Sequence, residues 1–315
     1  MALITLNAGL SGLARRALGL TGALVFALGA SIHAGNAVAR EIDTAKGTIS
    51  IQGTPQRVVT LSENALDTAL ALGLKPVGAV ATRGSDTFSD YLKDKAGKPA
   101  IVGTAREVNL EAVFALQPDL ILASPSIAPD IYAKLSMLAP TIVPKAASTD
   151  DWRKTVDLYA QALDREAQLQ QSYEALDKRI GQIKARLKPD QTVSVVRWNP
   201  QGPIVMSSRI FVGQLLQSLG LRTTELSGGL GEKPHSDVLS LENLSKIDAD
   251  WLFVATLNPQ GQETLDAARK QPAFERLGAV RNQHVFTVDG QVWTSGTGLL
   301  AAGVVLDDIE ATLLR

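Results

Sequence analysis

The sequence predicts an α/β protein of two similar lobes, each built on a parallel sheet, with a helical segment between them. Three observations carry this. Apolar runs of strand length alternate with helical stretches in both halves, the pattern of sheets buried on both faces. Leu110-Glu111-Ala-Val-Phe-Ala-Leu-Gln-Pro-Asp119-Leu-Ile-Leu aligns without a gap onto Leu241-Glu242-Asn-Leu-Ser-Lys-Ile-Asp-Ala-Asp250-Trp-Leu-Phe. Between the repeats, Asp150 to Leu187 is charged, almost free of Gly and Pro, and helix-forming throughout. A chain of 315 residues holds two such lobes of about 100–150 residues each. The expected division is a leader at 1–39, lobes at 40–149 and 189–315, and a bridging helix at 150–188.

Taken in order, the chain opens on Arg15-Arg16, an apolar run from Ala17 to Ile32, and the small-x-small site Ala37-Val38-Ala39. This reads as a cleaved export signal, with a mature start at Arg40. Glu41 to Ile51 alternates in polarity and turns at Gly47, a hairpin. Val58 to Leu61 is a buried strand, and Asn64 to Leu72 a helix that Gly73 ends. Strands are expected at Pro76–Val80, Ala100–Val102, Leu120–Ala123 and Thr141–Val143. A helix occupies Asp130–Leu138, and Arg83 to Lys98 is an irregular loop over a cleft. In the bridge, Leu158, Ala162 and Leu169, then Leu176, Ile180, Ile183 and Leu187, form a stripe at helical spacing, on one helix or a pair. The second half restarts with a strand at Val193–Val196. A helix at Phe211–Leu219, a glycine-rich loop with Gly228, Gly229 and Gly231, and the second Leu-Glu unit follow. Strands Trp251–Val254 and His284–Val288 and a closing helix, Gly298–Leu314, complete the lobe.

Composition excludes several chemistries. There is no cysteine, so no disulfide, thiolate metal site, cysteine nucleophile or lipid-modified cysteine. Of three histidines, His33 falls in the leader, which rules out a three-histidine metal site in the mature chain. No nucleophile elbow, Walker loop or Gly-x-Gly-x-x-Gly stretch after a strand is present. Removing residues 1–39 leaves 29 basic and 32 acidic residues, with no basic stripe for nucleic acid. Two exported lobes without a catalytic set point to a binding protein, with its ligand in the cleft. A secreted α/β hydrolase is the competing reading.

Thr54-Pro-Gln-Arg-Val-Val, Val102-Gly-Thr-Ala-Arg…Asn-Leu-Glu111, Leu116-Gln-Pro-Asp-Leu-Ile, Leu239-Ser-Leu-Glu242…Asp250 and Val292-Trp293 occur in this order. Over about residues 47–315 the chain resembles the periplasmic binding proteins of iron–siderophore and cobalamin ABC importers. It looks closest to the ferric-citrate and ferric-hydroxamate binders. The resemblance implies two Rossmann-like lobes joined by a long helix and a preformed Fe(III)–siderophore as ligand, with haem or cobalamin as alternatives. It also implies no cofactor, no protein-bound metal and no catalysis. The expected setting is a monomer, soluble in the periplasm and not a lipoprotein, serving an inner-membrane permease dimer with its ATPase. Arg106 and Trp293 match cleft residues of the relatives, against the readings of a surface ion pair and a packing tryptophan. Glu111 and Glu242 match one docking glutamate per lobe. Each is also an ordinary acid at a helix start, favoured by the dipole. From position alone, Arg197 and Trp198 follow a strand at its cleft edge. Arg197 is then a second guanidinium for the chelate or half of an interlobe ion pair, and Trp198 a stacking surface or a core cap. Arg83, Arg209 and His235 are further candidates on cleft loops.

Overall fold

The computed structural model describes residues 39–314. The expected leader, up to Val38, therefore lies outside the described residues. The chain begins with an antiparallel hairpin, β1 (Arg40–Thr44) and β2 (Gly47–Ile51). The first lobe follows as β3 (Val58–Thr60), α1 (Glu63–Ala71), β4 (Gly78–Ala81), α2 (Asp90–Ala96), β5 (Ala100–Thr104), α3 (Leu110–Ala115), β6 (Leu120–Leu122), α4 (Pro129–Leu135) and β7 (Thr141–Ile142). Its sheet runs β5-β4-β3-β6-β7, parallel throughout. The bridge is a helix pair, α5 (Arg153–Leu163) and α6 (Glu166–Lys184), broken where Asp164 turns left-handed at φ 60°.

The second lobe contains β8 (Thr192–Asn199), β9 (Gly202–Val205), α7 (Phe211–Ser218), β10 (Arg222–Thr223), α8 (Glu225–Gly228) and a 3₁₀ helix at Leu241–Ile247. β11 (Trp251–Thr256), α9 (Pro259–Ala268), α10 (Pro272–Glu275), α11 (Gly278–Arg281), β12 (Val285–Asp289), α12 (Gly290–Thr294) and α13 (Leu299–Leu313) complete it. Its sheet runs β10-β8-β11-β12 in parallel, with β9 antiparallel on β8. Two expected loops hold short helices instead: α2 within 83–98, where Leu92 and Ala96 are buried, and α8 at the glycine-rich stretch.

The repeat has a physical basis. Asp119, just ahead of β6, accepts from the backbone N–H groups of Gln56 (2.7 Å) and Arg57 (2.9 Å), just ahead of β3. Asp250, just ahead of β11, accepts from the Thr192 N–H (2.7 Å) and hydroxyl (2.8 Å) at the start of β8. In each lobe one aspartate ties the entrance of a central strand to its neighbour. These bonds to Thr192 hold the Asp250 carboxyl below its ordinary value.

The lobes share one apolar core. Buried Val58, Leu120 and Ile142 of the first lobe, Trp152, Tyr159 and Leu176 of the bridge, and Phe211, Phe253 and Trp293 of the second belong to one contiguous cluster. The terminal α13 crosses to the first lobe and packs on α1 as well as on α6. Its N-cap residue, Gly298, offers no side chain to the orphan N–H groups of the first turn. Asp67 of α1 supplies the cap instead, accepting from Leu300 N–H (3.0 Å) and Ala301 N–H (2.9 Å). Gly298 has φ +144°, and a Cβ there would fall 2.2 Å from Asp67 Oδ1, so this junction requires glycine.

Candidate functional site

In open parallel sheets, ligands bind outside the carboxyl ends of the strands. Here those ends face one another across an interlobe cleft. From the first lobe come Glu63, which follows β3, and Thr82 and Arg83, which follow β4. From the second come Arg197 near the end of β8, Met206 after β9, His235, and Trp293 on α12. They enclose about 400 Å³. A hydroxyl-rich extension of about 560 Å³ opens beside it through Glu63 and Arg83, lined by Ser62, Asn64, Ser124, Ser126, Thr155 and Tyr159. Tyr159 is fixed there by donating to the Ala123 carbonyl at 2.8 Å.

Charge sets the character of the cleft. Arg197 is 7% exposed, and its Nε–H has no hydrogen-bond partner. Burial first, and the charge of Arg83 second, lower its pKa from the ordinary guanidinium value. Among the described residues neither arginine forms an ion pair. Arg83 is exposed to solvent and Arg197 is buried, so the uncompensated cost falls on Arg197, and an anion beside it relieves that cost. His235 adds a third basic group; its Nδ1 lies 2.8 Å from the Ser236 carbonyl and donates to it. No cluster of three or more metal-ligating side chains occurs among the described residues.

The predicted site residues divide. Arg83, Arg197 and His235 are brought together in the cleft. Trp293 lies beneath it, fully buried, stacked on Phe253 at 4.5 Å and donating Nε1–H to Asp308 at 2.7 Å, which makes it the cleft floor. Arg106 is exposed in the loop after β5, in an adjoining recess that it shares with Arg83; its neighbour Ala105 reaches the cleft. Trp198 is corrected out of the site. It lies within β8, one residue on from Arg197, so its side chain faces the opposite side of the sheet, where it packs edge-on against Phe274 at 6.1 Å. Arg209 is also corrected: its guanidinium is paired with Glu232, outside the cleft lining. Glu111 and Glu242 are exposed in the first turns of α3 and the 3₁₀ helix. Sequence reading missed Glu63. The available signal was a pair of acids, Glu63 and Asp67, one turn apart on a helix whose other residues, apart from Asn64 and Thr68, are apolar.

A cleft between two α/β lobes, with unpaired arginines on its wall, is the architecture of a solute-binding protein. The family model described as "Periplasmic binding protein" matches residues 58–292, and the chain belongs to that family. It is 32% identical over 287 residues to the "Probable siderophore-binding lipoprotein YfiY" of Bacillus subtilis, covering 88% of each chain. It is 30% identical over 277 residues to the "Fe(3+)-citrate-binding protein YfmC" of the same organism, covering 86% of this chain and 84% of that one. The crystal structure of Staphylococcus aureus SirA complexed with staphyloferrin B superposes with a TM-score of 0.76 at 27% identity, over 87% of this chain and 98% of that one. The first relative corrects the expectation of a soluble, non-lipidated periplasmic protein. Its name makes it a lipoprotein, so membership of the family does not imply free solution. The 315 residues nonetheless contain no cysteine for a lipid to modify. Among the described residues no helix is long and apolar enough to cross a membrane.

Proposed function

We propose that this chain captures a ferric siderophore of hydroxamate or citrate type in the interlobe cleft, and delivers it to an ABC importer without performing chemistry. The observation that carries this is the Arg83–Arg197 pair, one guanidinium from each lobe, with no carboxylate partner. A ferric chelate presents oxygen donors around a hard cation and is often anionic overall. The protein then needs guanidinium donors and apolar walls rather than ligands to iron. Met206, Phe211 and the tryptophan floor supply the walls. Arg106, on the rim, contributes to attraction of the anion more than to its seating. No cofactor and no second copy of the chain enter this reading.

Delivery falls to Glu111 and Glu242. Each opens a helix that leads into a parallel strand, β6 or β11, and so sits at the carboxyl edge of its sheet, the edge that the cleft occupies. Two equivalent carboxylates suit a permease dimer with paired basic pockets, driven by its ATPase.

The test is titration of the apo protein with ferric citrate, ferric hydroxamates, ferric catecholates, haem and cobalamin, followed by tryptophan fluorescence. One ferric chelate class is expected to bind. Arg197→Met should weaken it by about 2–4 kcal/mol, roughly 30-fold or more, because a desolvated charge contact is lost. Unchanged affinity in the variant, or binding of none of the panel, overturns the proposal.

A further inference from the structure

Among the described residues, Glu63 is the one carboxylate lining the arginine chamber, and the hydrogen bonds around it bear on its protonation state. Glu63 borders both the arginine-lined chamber and the hydroxyl-rich extension. Its Oε2 accepts from the Thr82 hydroxyl. Its Oε1 lies 2.8 Å from Ser89 Oγ, and that same oxygen lies 2.8 Å from Gln291 Oε1 of the opposite lobe and 3.2 Å from Thr82 Oγ1. The amide of Gln291 is oriented by its Nε2, which donates to the Arg83 carbonyl at 3.3 Å, so the oxygen facing Ser89 is an acceptor. Ser89 is buried and has one hydroxyl hydrogen. It cannot donate to Glu63 and to Gln291 at once. An ionised carboxylate and an amide oxygen both lack hydrogens, so with Glu63 ionised one of the two 2.8 Å contacts sets lone pair against lone pair. A proton on Glu63 Oε1 completes the chain: Glu63 donates to Ser89, Ser89 donates to Gln291, and Thr82 donates to Glu63.

We infer that Glu63 serves this cleft as a neutral carboxylic acid, a specificity residue whose ionisation opposes capture of an anionic ligand. The inference rests on the anionic-chelate reading above. Its surroundings agree. Asp67, one turn on along α1, and Asp289 at the start of α12 are acids. The Tyr91 hydroxyl from α2 is buried beside Glu63 and Asp67 without meeting hydrogen-bond geometry to either. Asp150 stands across the hydroxyl-rich extension. The bases are Arg83, Arg197 and His235, and none is ion-paired with Glu63. Burial raises the Glu63 pKa from the ordinary carboxylate value despite the hydroxyl donors. A neutral Glu63 leaves the arginines' field intact for the chelate and keeps the lobes linked through Ser89 and Gln291. Once ionised, it places a negative charge on the wall that an anion must meet and breaks that link.

The experiment measures the dissociation constant of ferric citrate, with citrate in excess, for the parent protein and for Glu63→Gln from about pH 5.5 to about pH 8.5. The Gln amide donates to Ser89 and accepts from Thr82, as the neutral acid does. Taking the ratio of the two constants at each pH cancels the speciation of the ligand. The ratio of parent to variant is expected to rise at least tenfold between the ends of the range. A constant ratio, with both proteins binding, overturns the role of Glu63 and leaves the anionic-chelate reading standing. Failure of both proteins to bind ferric citrate or any other ferric chelate overturns that reading and the coupling with it. Carboxyl-carbon NMR of the apo protein is an independent check, since the Glu63 resonance, identified by its loss in Glu63→Gln, should titrate above the ordinary carboxylate range. An ordinary titration overturns the inference whatever the ligand does.

Discussion

Replacing Asp67 with Asn should reverse the sign of its effect on stability as pH rises. Asp67 is fully buried on α1, and its hydrogen-bond partners are the Leu300 and Ala301 N–H groups at the start of α13. Burial pushes its pKa up to about 7 from 3.8, outweighing the two N–H groups that favour the anion. The folded state therefore holds this proton to higher pH than the unfolded chain does. Between the two values the folded state binds more protons, and stability falls as pH rises. The stabilisation is fully present below about pH 4 and lost through about pH 7, a difference of about 4 kcal/mol. Glu63, Asp157 and Asp308 are raised in the same direction, so the parent curve alone mixes several groups. The difference between parent and Asp67→Asn isolates one. The amide keeps one acceptor for the two N–H groups, which costs about 1 kcal/mol at acid pH relative to the protonated acid. At about pH 8, where the parent carries a buried charge, the variant should be more stable by about 2–3 kcal/mol. Urea denaturation across this range gives both curves. A variant destabilised by the same amount at every pH would refute the reasoning, because it would place Asp67 in its ordinary protonation range.

Two further outcomes are expected. Glu111→Ala and Glu242→Ala should each leave ferric chelate affinity unchanged and lower uptake in cells expressing the cognate importer, and the double variant should lower it further. Unchanged uptake in the double variant removes both residues from docking. Gly103→Ala should destabilise the protein by about 2–3 kcal/mol in a denaturant titration, since position 103 has φ +102° and an added Cβ falls 2.2 Å from the Glu107 carbonyl oxygen. A variant as stable as the parent would show that this loop, which carries Arg106, relaxes freely.

The alternation of strands and helices was legible because each signal is local. Val-Val-Thr reads as buried at β3 whatever surrounds it, and Gly73, at φ +80°, ends α1 where its sequence position indicates. The repeat was legible through Asp119 and Asp250, whose bonds to neighbouring strand starts reproduce the same join in both lobes. What failed depends on parity or distance. Placing the end of the strand at Val196 leaves Arg197 and Trp198 free to point into one space. β8 continues to Asn199, and strand alternation sends the arginine to the cleft and the tryptophan to the core. Arg209 meets Glu232 through a loop contact 23 residues away, which no periodicity encodes. Glu63 was obscured for a related reason. An acid at a helix start has an ordinary explanation in the dipole, and its link runs to Ser89, 26 residues on, and from there to Gln291, a further 202 residues on.

The shared core bears on how such a cleft selects its ligand. Hinge closure requires lobes that can separate without exposing buried apolar surface. Here Trp293 and Phe253 of the second lobe are continuous with Val58 and Leu120 of the first through Tyr159 and α5. α13 is capped by a side chain from the other lobe, so rotation about the bridge would pull Asp67 from two N–H groups and open the α1–α13 contact together. Each buried aliphatic or aromatic side chain so exposed costs about 1.5–3 kcal/mol, and a handful of them exceeds what a small ligand returns by being enclosed. The cleft is thus largely set before the ligand arrives. Selection then falls on what can change without moving the lobes, namely the charge lining the walls: two guanidiniums and a carboxyl group whose proton determines whether an anion meets a neutral wall or a negative one.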